Sequence, residues 1–216
     1  MTAAFGILRR TSVDLVAESL TRSFGSRRIV GPLSFRVPPG RVLGVAGPNG
    51  SGKTTLVKTL AGLLRPTTGG VFLDGAGQRR SPREASDAIG WVAPDLALYG
   101  ELTASENLRF FAKLHGRPAS AGWADEAIAR VGLDPGRIAA TPLRALSTGQ
   151  RQRIKLVYAT LHEPAVLLLD EPSSNLDEAG RAVVARVVAE QRARGAVVVA
   201  SNDAADLALS DERVNL

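Results

Sequence analysis

The chain has 216 residues, enough for one substantial α/β domain or for one domain with a modest insertion. It contains no cysteine and no apolar stretch long enough to cross a bilayer, which excludes disulfides, thiolate metal sites and a transmembrane helix. Its 27 basic and 21 acidic residues permit nucleic acid or an anionic membrane as a partner, but the scattered arginines favour an ordinary solvated surface.

The first third of the chain is rich in turns and short apolar runs. It opens with MTAAFGILRRTSVDL, where two arginines follow a very short apolar patch; this is the wrong order for a secretory signal, so a cytoplasmic protein is expected. Glycine and proline separate runs that predict strands at 13–17, 29–37, 42–46 and 71–73. Leu56, Leu60 and Leu63 recur at helical spacing and predict a helix. Gly62 and Pro66 mark its end.

The middle of the chain, roughly 96–145, predicts helices and no strand. Thr103 and Glu106 form a capping-box pattern at the start of the first helix. The apolar face of that helix is formed by Leu108, Phe111 and Leu114. A second helix follows at about 123–131, and Gly132 and Pro135 mark its end. The pattern indicates a helical subdomain.

From residue 147 onward helix and strand alternate. The pattern predicts a helix that Pro164 ends, a strand at 166–169, a second helix around 183–188 and a strand at 197–200. Alternation of this kind predicts a parallel sheet with helices packed on its faces.

The stretch AGPNGSGKTTL (46–56) is typical of a phosphate-binding loop, because a predicted strand precedes it and a predicted helix follows. Its glycines let successive backbone N–H groups turn inward around a polyphosphate, and the helix start adds donors and a positive dipole end. Lys53 is expected to contact the β- and γ-phosphates and Thr54 to bind Mg²⁺. An accidental glycine-rich turn is disfavoured by the flanking elements. The predicted nucleotide-binding residues are Gly47, Pro48, Asn49, Gly50, Ser51, Gly52, Lys53, Thr54 and Thr55.

Carboxylates follow the strand in AVLLLDEPSSNLD (165–177). The carboxyl end of a parallel strand is where ligands bind in open α/β sheets. Asp170 is suited to hold Mg²⁺, and Glu171 to accept a proton from the water that attacks the γ-phosphate. An apolar run followed by aspartate is a common pattern by itself. Together with the phosphate-binding loop predicted at 46–56, it indicates a nucleotide site.

The stretch RALSTGQRQRIKLVYA (144–159) narrows the choice among enzymes with such a loop. Its segment Leu146–Gln150, just before a helix, resembles the signature motif of the ATP-binding cassette (ABC) ATPases. The resemblance extends over nearly the whole chain. Phe24 matches the aromatic residue that stacks on adenine in that family, and 174–177 resembles the loop that crosses to the partner subunit.

The resemblance implies an α/β fold: a RecA-like P-loop core with an antiparallel β subdomain and an inserted α-helical subdomain. The chain, 1–216, would be a single ABC nucleotide-binding domain. Its core would lie at 1–93 and 147–216, and its helical subdomain at about 94–146. The resemblance further implies that the chain binds ATP and Mg²⁺ and hydrolyses ATP, with Lys53, Glu171 and Asn202 in catalytic roles.

The signature has a physical logic of its own. In the family two cassettes pair head to tail, and the signature of each clamps the γ-phosphate that the other holds. Ser147, Gly149 and Gln150 are therefore expected to contact nucleotide bound by a partner, either a second copy or another cassette. A helix start suits this role, because hydroxyl, backbone N–H groups and dipole can all face an anion. Taken alone, the segment would equally be an ordinary helix cap.

Two positions depart from the family pattern. Asn202 stands where the family has a histidine that contacts the γ-phosphate; asparagine can donate a hydrogen bond but cannot carry the charge. Pro94 stands where the family usually has a glutamine that touches Mg²⁺ and water, and proline has neither a polar side chain nor an N–H. Either neighbouring Asp95 replaces that contact or the contact is absent.

These departures leave two interpretations open. In the first, Glu171 and the composite site suffice and hydrolysis is only slower. In the second, the chain binds ATP and dimerises but scarcely turns over. The retained Glu171 favours the first, since loss of one hydrogen-bonding group commonly costs about two to three orders of magnitude in rate.

The resemblance also implies partners. A single cassette without a membrane span is expected to be the energy-coupling subunit of a transporter, held peripherally at the cytoplasmic face of the membrane by integral membrane subunits. The aromatic residues near the expected docking groove for a coupling helix are Trp91, Tyr99, Phe110 and Phe111. At least one of the two phenylalanines is expected in the core instead.

Within transporters, the stretch 91–116 is similar to the ATP-binding subunit of the haem exporter used in cytochrome c maturation. The membrane subunits choose the substrate, so the sequence does not determine it. One alternative is a soluble cassette ATPase that acts on nucleic acid or ribosomes, which the lack of tandem cassettes, long coiled coils and zinc-binding cysteines disfavours. Another is a non-enzymatic, ATP-gated assembly subunit.

Overall fold

The structure, a computed structural model, describes residues 13–117, 120 and 122–216. The segment 1–12, on which the expectation about a secretory signal depends, lies outside the described residues. The strands are β1 (Asp14–Phe24), β2 (Arg27–Val37), β3 (Val42–Ala46), β4 (Thr68–Gly75), β5 (Gln78–Arg80), β6 (Ile89–Val92), β7 (Val166–Asp170), β8 (Ala196–Ser201) and β9 (Glu212–Asn215). The helices are α1 (Lys53–Leu60), α2 (Ala104–Leu114), α3 (Trp123–Arg130), α4 (Pro135–Ile138), α5 (Thr148–Thr160), α6 (Glu178–Arg192) and α7 (Ala204–Leu207).

One sheet is antiparallel, with strand order β2-β1-β4-β5. Its buried side chains, such as Leu15 and Leu73, which are paired across β1 and β4, pack toward α1 and the second sheet. The strands predicted at 13–17, 29–37 and 71–73 are confirmed, and all three are longer than predicted. β5 was not predicted, because its three residues, Gln-Arg-Arg, are exposed and carry no apolar signal.

The second sheet is parallel, with strand order β6-β7-β8-β3-β9, as the alternation of helix and strand predicted. β7 and β8 lie near its centre and are buried along their whole length. Pairing sets Asp170 beside Ala200, and Ala46 beside Ser201. The carboxyl ends of β3, β7 and β8 therefore meet at one edge of the sheet.

Two apolar cores lie on the two faces of this sheet. The first is shared with α1 and the antiparallel sheet, and the second with α5, α6 and the helices that follow β6. Gly90 in β6 allows α5 to approach closely, because an added Cβ would lie 2.0 Å from the carbonyl oxygen of Ala159. β6 and β9 were not predicted; each is a four-residue strand, too short to give a clear periodic signal.

The helices largely follow the predictions. The capping box of α2 is confirmed: the Thr103 hydroxyl accepts a hydrogen bond from the Glu106 N–H, and the Glu106 carboxylate accepts one from the Thr103 N–H. Leu108 is buried, whereas Leu114 is 67% exposed, so only part of the predicted apolar face packs into the core. Leu63 likewise lies beyond the end of α1 and is exposed.

The helices α2, α3 and α4 lie between β6 and α5 in the chain, where an inserted helical subdomain was expected. The short α4 was not predicted, since Pro135 was interpreted as a stop signal and instead occupies the first position of a helix that Asp134 caps. The boundaries of the helical subdomain at about 94 and 146 stay a prediction. Among the described residues no helix is both long and apolar enough to cross a membrane.

Candidate functional site

The loop between β3 and α1 lies at the carboxyl edge of the parallel sheet. Gly52 has a φ of 109°, and an added Cβ there would lie 2.8 Å from the carbonyl oxygen of Ile29, so a side chain is excluded at this position. Lys53, the first residue of α1, is 5% exposed. Its Nζ donates hydrogen bonds to the carbonyl oxygens of Gly47 (2.7 Å) and Pro48 (3.2 Å). The loop therefore encloses a positive charge at the start of a helix.

Asp170, the last residue of β7, faces this loop. Its Oδ2 accepts a hydrogen bond of 2.6 Å from the Thr54 hydroxyl, while its Oδ1 is buried without a hydrogen-bond partner. Burial, more than any other cause, raises the pKa of the Asp170 carboxyl above its ordinary value of 3.8. A buried, unpartnered carboxylate oxygen beside a hydroxyl is a donor set that suits a hard cation such as Mg²⁺.

Among the residues that the structure describes, Thr54 and Asp170 are the protein groups that face this cation site. Within the described parts of the chain, no three His, Asp or Glu side chains are grouped so that they could hold a metal ion. Thr54 and Asp170 therefore fit a Mg²⁺ ion whose other ligands are phosphate and water oxygens, which is the usual arrangement for this ion.

Glu171 follows directly and has a φ of 48°, an uncommon left-handed conformation for a residue with a side chain. Its N–H donates to the carbonyl oxygen of Ala200, which continues the pairing of β7 with β8. Its Oε1 lies 3.1 Å from the Lys53 Nζ in an ion pair that lacks good hydrogen-bond direction. Its Oε2 accepts a hydrogen bond of 3.0 Å from the Ser201 hydroxyl.

Asn202 lies at the same edge, one residue beyond β8. Its side-chain Nδ2 donates a hydrogen bond of 3.0 Å to the Oδ1 of Asn49 in the loop. The structure thus brings together Lys53, Thr54, Asp170, Glu171 and Asn202, which are far apart in the sequence. It also adds Ser201, a fully buried polar residue that the sequence analysis did not assign. The sequence signal that could have identified Ser201 is its position as the first polar residue after the apolar run 196–200.

Phe24 lies at the exposed end of β1, and its side chain is 49% exposed. The guanidinium of Arg22 lies over the ring, 4.2 Å from the centroid. A solvent-exposed aromatic ring is what adenine stacking requires, and the cation beside it adds a polar contact.

Ser147 caps the N-terminus of α5. Its hydroxyl accepts a hydrogen bond from the Gln150 N–H (3.2 Å), and the Gln150 Oε1 accepts one from the Ser147 N–H (2.9 Å). A Cβ on Gly149 would lie 3.1 Å from the carbonyl oxygen of Asn175, so the start of α5 packs closely against the segment 174–177. Ser147 itself is exposed, so its helix start is open to an external partner.

The segment after β6 contacts helices on both sides. The Lys155 Nζ donates a hydrogen bond of 3.1 Å to the carbonyl oxygen of Pro94, so Pro94 contributes to packing through its backbone. The Asp95 carboxylate forms a hydrogen-bonded ion pair with Lys58 on α1, and this contact lowers the pKa of Asp95. In this arrangement Asp95 contacts Lys58 and not the Thr54–Asp170 pair.

Comparisons with known proteins agree on one family. The family model described as ABC transporter matches residues 30–174. An uncharacterised ABC transporter ATP-binding protein of Bacillus subtilis, YdbJ, is 38% identical over 163 residues, which are 76% of this chain and 52% of that protein. The cytochrome c biogenesis ATP-binding export protein CcmA 2 of Cupriavidus metallidurans is 36% identical over 190 residues, which are 86% of this chain and 88% of that protein.

The chain therefore spans only about half the length of YdbJ. Among solved structures, the dimeric structure of the bacterial ABC transporter cassette MJ0796 has a TM-score of 0.82 and 22% sequence identity. The match covers 94% of each chain. At that identity the likeness supports the fold, which is that of the ABC ATPase cassettes.

The orphaned oxygen of Asp170 predicts that this residue destabilises the metal-free protein. We expect Asp170→Asn to raise the free energy of unfolding at pH 7 without Mg²⁺ by about 1 kcal/mol, because a buried negative charge is removed. Well below pH 3.8 the wild-type carboxyl is protonated in both the folded and the unfolded protein. The stability difference between the variant and the wild type should therefore vanish there. Urea unfolding of both proteins between pH 7 and pH values below 3.8 measures this difference in the free energy of unfolding.

The control is Glu126→Gln on the exposed face of α3, where we expect a change within about 0.5 kcal/mol. Addition of Mg²⁺ and ATP should stabilise the wild type and the control more than Asp170→Asn. An Asp170→Asn variant that is less stable than the wild type at pH 7 without metal would contradict the prediction.

Proposed function

The chain belongs to the ABC transporter family, and on that premise we propose that it binds and hydrolyses ATP to power a membrane transporter. The observation that carries the proposal is the meeting of Lys53, Thr54, Asp170 and Glu171 at one edge of the parallel sheet. A cation, a hydroxyl–carboxylate pair and a second carboxylate are the groups that phosphoryl transfer to water requires.

Each of these side chains has a distinct role. Lys53 would exchange its contacts with the loop carbonyls and Glu171 for contacts with the β- and γ-phosphates. The ion pair between Lys53 and Glu171 would then be broken. Thr54 and Asp170 would hold Mg²⁺, which supplies neutralisation of the phosphate charge. Glu171, freed from its ion pair, would then accept the proton of the attacking water. ATP binding would thereby prepare its own hydrolysis.

The exposed Ser147 supports a head-to-tail dimer, either of two copies or of this chain with another cassette. Its hydroxyl and the first N–H groups of α5 lie at the protein surface, where nucleotide held by a partner could reach them. The packing of Gly149 against 174–177 would link this contact to the loop that crosses between subunits. The solved MJ0796 cassette is itself dimeric.

We propose that hydrolysis is slow relative to cassettes that have histidine and glutamine at the two divergent positions. The Asn202 amide could donate a hydrogen bond to a phosphate oxygen, but it carries no positive charge, so the contact would lack the ionic attraction that a histidinium donor adds. Pro94 offers no side-chain contact to metal or water. The retained Glu171 is the reason to expect turnover rather than binding alone.

The membrane partner is proposed to dock near the aromatic cluster of Tyr99, Phe110, Phe111 and Tyr158. Neighbouring rings in this cluster lie 4.7 to 5.8 Å apart, centroid to centroid. Phe111 is half-buried against Tyr158, whereas Tyr99 and Phe110 are exposed, as is Leu114 on the following turn of α2. Exposed apolar residues grouped in this way indicate a protein contact. The chain would thus be held at the cytoplasmic face of the membrane.

For the transported substrate, we propose haem export in cytochrome c maturation as the first candidate. The support is the likeness to CcmA 2, which extends over most of both chains. Because membrane subunits form the translocation pathway, the identity of that partner is the observation that decides the substrate.

The ATPase proposal is tested by turnover of the purified full chain with Mg²⁺ and ATP. Glu171→Gln should lower kcat by about two to three orders of magnitude while ATP binding is kept, because only the proton acceptor is lost. Lys53→Ala should abolish ATP binding, whereas Lys113→Ala on the exposed face of α2 should leave both unchanged. Turnover by Glu171→Gln equal to that of the wild type would exclude Glu171 as the base.

The identity of residue 202 is predicted to set the rate. Asn202→His should raise kcat about tenfold, and more at pH 6 than at pH 8, because an imidazolium adds charge to the phosphate contact. Asn202→Ala should lower kcat below that of the wild type. If all three proteins turn over at the same rate at both pH values, this side chain does not act on the reaction.

Docking is predicted to depend on the exposed aromatic side chains and not on nucleotide contacts. Tyr99→Ser should lower the fraction of the chain that co-purifies with host membranes and keep its ATP affinity; the Tyr99 backbone is held by Asn107 in either case. Phe24→Ser should instead lower the ATP affinity and leave the fraction that co-purifies with membranes unchanged. Equal membrane fractions for the wild type and Tyr99→Ser would contradict the assigned surface.

A further inference from the structure

A chain of buried hydrogen bonds leads away from Glu171 into the protein. The Ser201 hydroxyl lies 3.0 Å from the Glu171 Oε2 and 2.9 Å from the Asp206 Oδ2. The other oxygen of Asp206, Oδ1, accepts a hydrogen bond of 2.5 Å from the Ser173 hydroxyl. Ser173, Ser201 and Asp206 are at most 4% exposed. Groups buried so completely hold their partners in fixed positions.

The Ser201 hydroxyl has one hydrogen, so it can donate to only one of the two carboxylates at a time. Its oxygen already accepts the Asp203 N–H at 3.0 Å. Glu171 and Asp206 therefore compete for the same donor at nearly equal distances. A second donor to Asp206 reduces that competition, and Ser173 supplies one.

Ser173 directly precedes the segment 174–177, which was expected to cross to the partner subunit. Its carbonyl oxygen accepts the Leu176 N–H at 3.1 Å, and the carbonyl oxygen of Glu171 accepts the Ser174 N–H at 3.1 Å. The turn from Glu171 to Leu176 is thus a continuous hydrogen-bonded unit. A shift of this turn at the subunit boundary would move the Ser173 hydroxyl relative to Asp206.

We propose that Ser201 and Asp206 are positioning residues that orient the Glu171 carboxylate, and that Ser173 couples this orientation to the turn 173–177. When Ser173 donates to Asp206, the Ser201 hydroxyl is released to hold Glu171 Oε2. When Ser173 withdraws, Asp206 takes the Ser201 hydroxyl and Glu171 loses its support. The proposal rests on the proposed function, in which Glu171 accepts the proton of the attacking water.

The test is a double-mutant cycle on the full chain, with single-turnover ATP hydrolysis and ATP affinity measured for each variant. Ser201→Ala should lower the rate about tenfold and change ATP affinity less than about twofold, since one hydrogen bond to Glu171 is lost. In the Glu171→Gln background the same substitution should change the residual rate less than about twofold. Ser105→Ala, which removes a buried hydroxyl without a hydrogen-bond partner, is the matched control and should leave the rate unchanged.

The coupling through Ser173 is tested in the same assay and does not depend on the folding of Ser201→Ala. Ser173→Ala should lower the rate about threefold, because Asp206 then draws the Ser201 hydroxyl. Asp206→Asn added to Ser173→Ala should restore it, since the amide can donate to the Ser201 oxygen and leave that hydroxyl for Glu171. Absence of a loss in Ser173→Ala, or of recovery in the double variant, would overturn the coupling.

Two results separate failure of this inference from failure of the proposed function. An equal loss from Ser201→Ala with and without Glu171 would show that Ser201 acts only on the structure of the strand end, and would overturn the inference alone. Full activity of Glu171→Gln would instead refute the role of Glu171 on which the proposed function depends. A tenfold loss that disappears in the Glu171→Gln background supports both.

Discussion

The parallel pairing of β7 with β8, and of β8 with β3, is the constraint on which the site depends. This pairing places the ends of three strands side by side, and each end carries a different chemical group. β3 leads into the phosphate loop, β7 ends in Asp170, and β8 ends in Ser201. A slip of one residue in either pairing would turn Asp170 or Ser201 to the opposite face of the sheet. The buried strands prevent such a slip, because their apolar side chains fill both cores.

The site itself is electrostatically unfavourable without its ligands. Asp170 is fully buried with one oxygen unpartnered, and Glu171 has a left-handed backbone conformation. Lys53 offsets part of this cost by its ion pair with Glu171 and its bonds to the loop carbonyls. Such costs are common at active sites and ligand-binding sites, where activity is gained at the expense of stability. Bound Mg²⁺ would supply the missing partner of Asp170, and bound phosphate would replace the present partners of Lys53.

The surfaces around this edge have different chemistry. The start of α5 presents an exposed serine at the positive end of a helix dipole, which suits an anion, whereas the outer face of α2 presents Phe110 and Leu114, which suit an apolar partner. The segment after β6 lies between them, and Lys58 and Lys155 hold it by contacts with Asp95 and the Pro94 carbonyl. In the proposed function, this short segment would connect the nucleotide-binding edge with the docking surface.

The sequence by itself determined the strand–loop–helix around Lys53, the carboxylates after the buried strand, the capping box of α2, the helix start at Ser147, and the alternation that predicts a parallel sheet. These features are local: each depends on the spacing of glycines, apolar residues or caps along a few turns of chain. β5, β6, β9 and α4 were missed, because short elements carry too few residues for a periodic signal.

Only the tertiary structure decided which polar groups meet. Ser201 and Asp206 carry no sequence signal that links them to Glu171, and Leu114 has the helical spacing of a core residue and yet is exposed. Contacts of this kind depend on strand order and on which helix face finds a neighbour, and these are set by packing between segments that are distant in the chain.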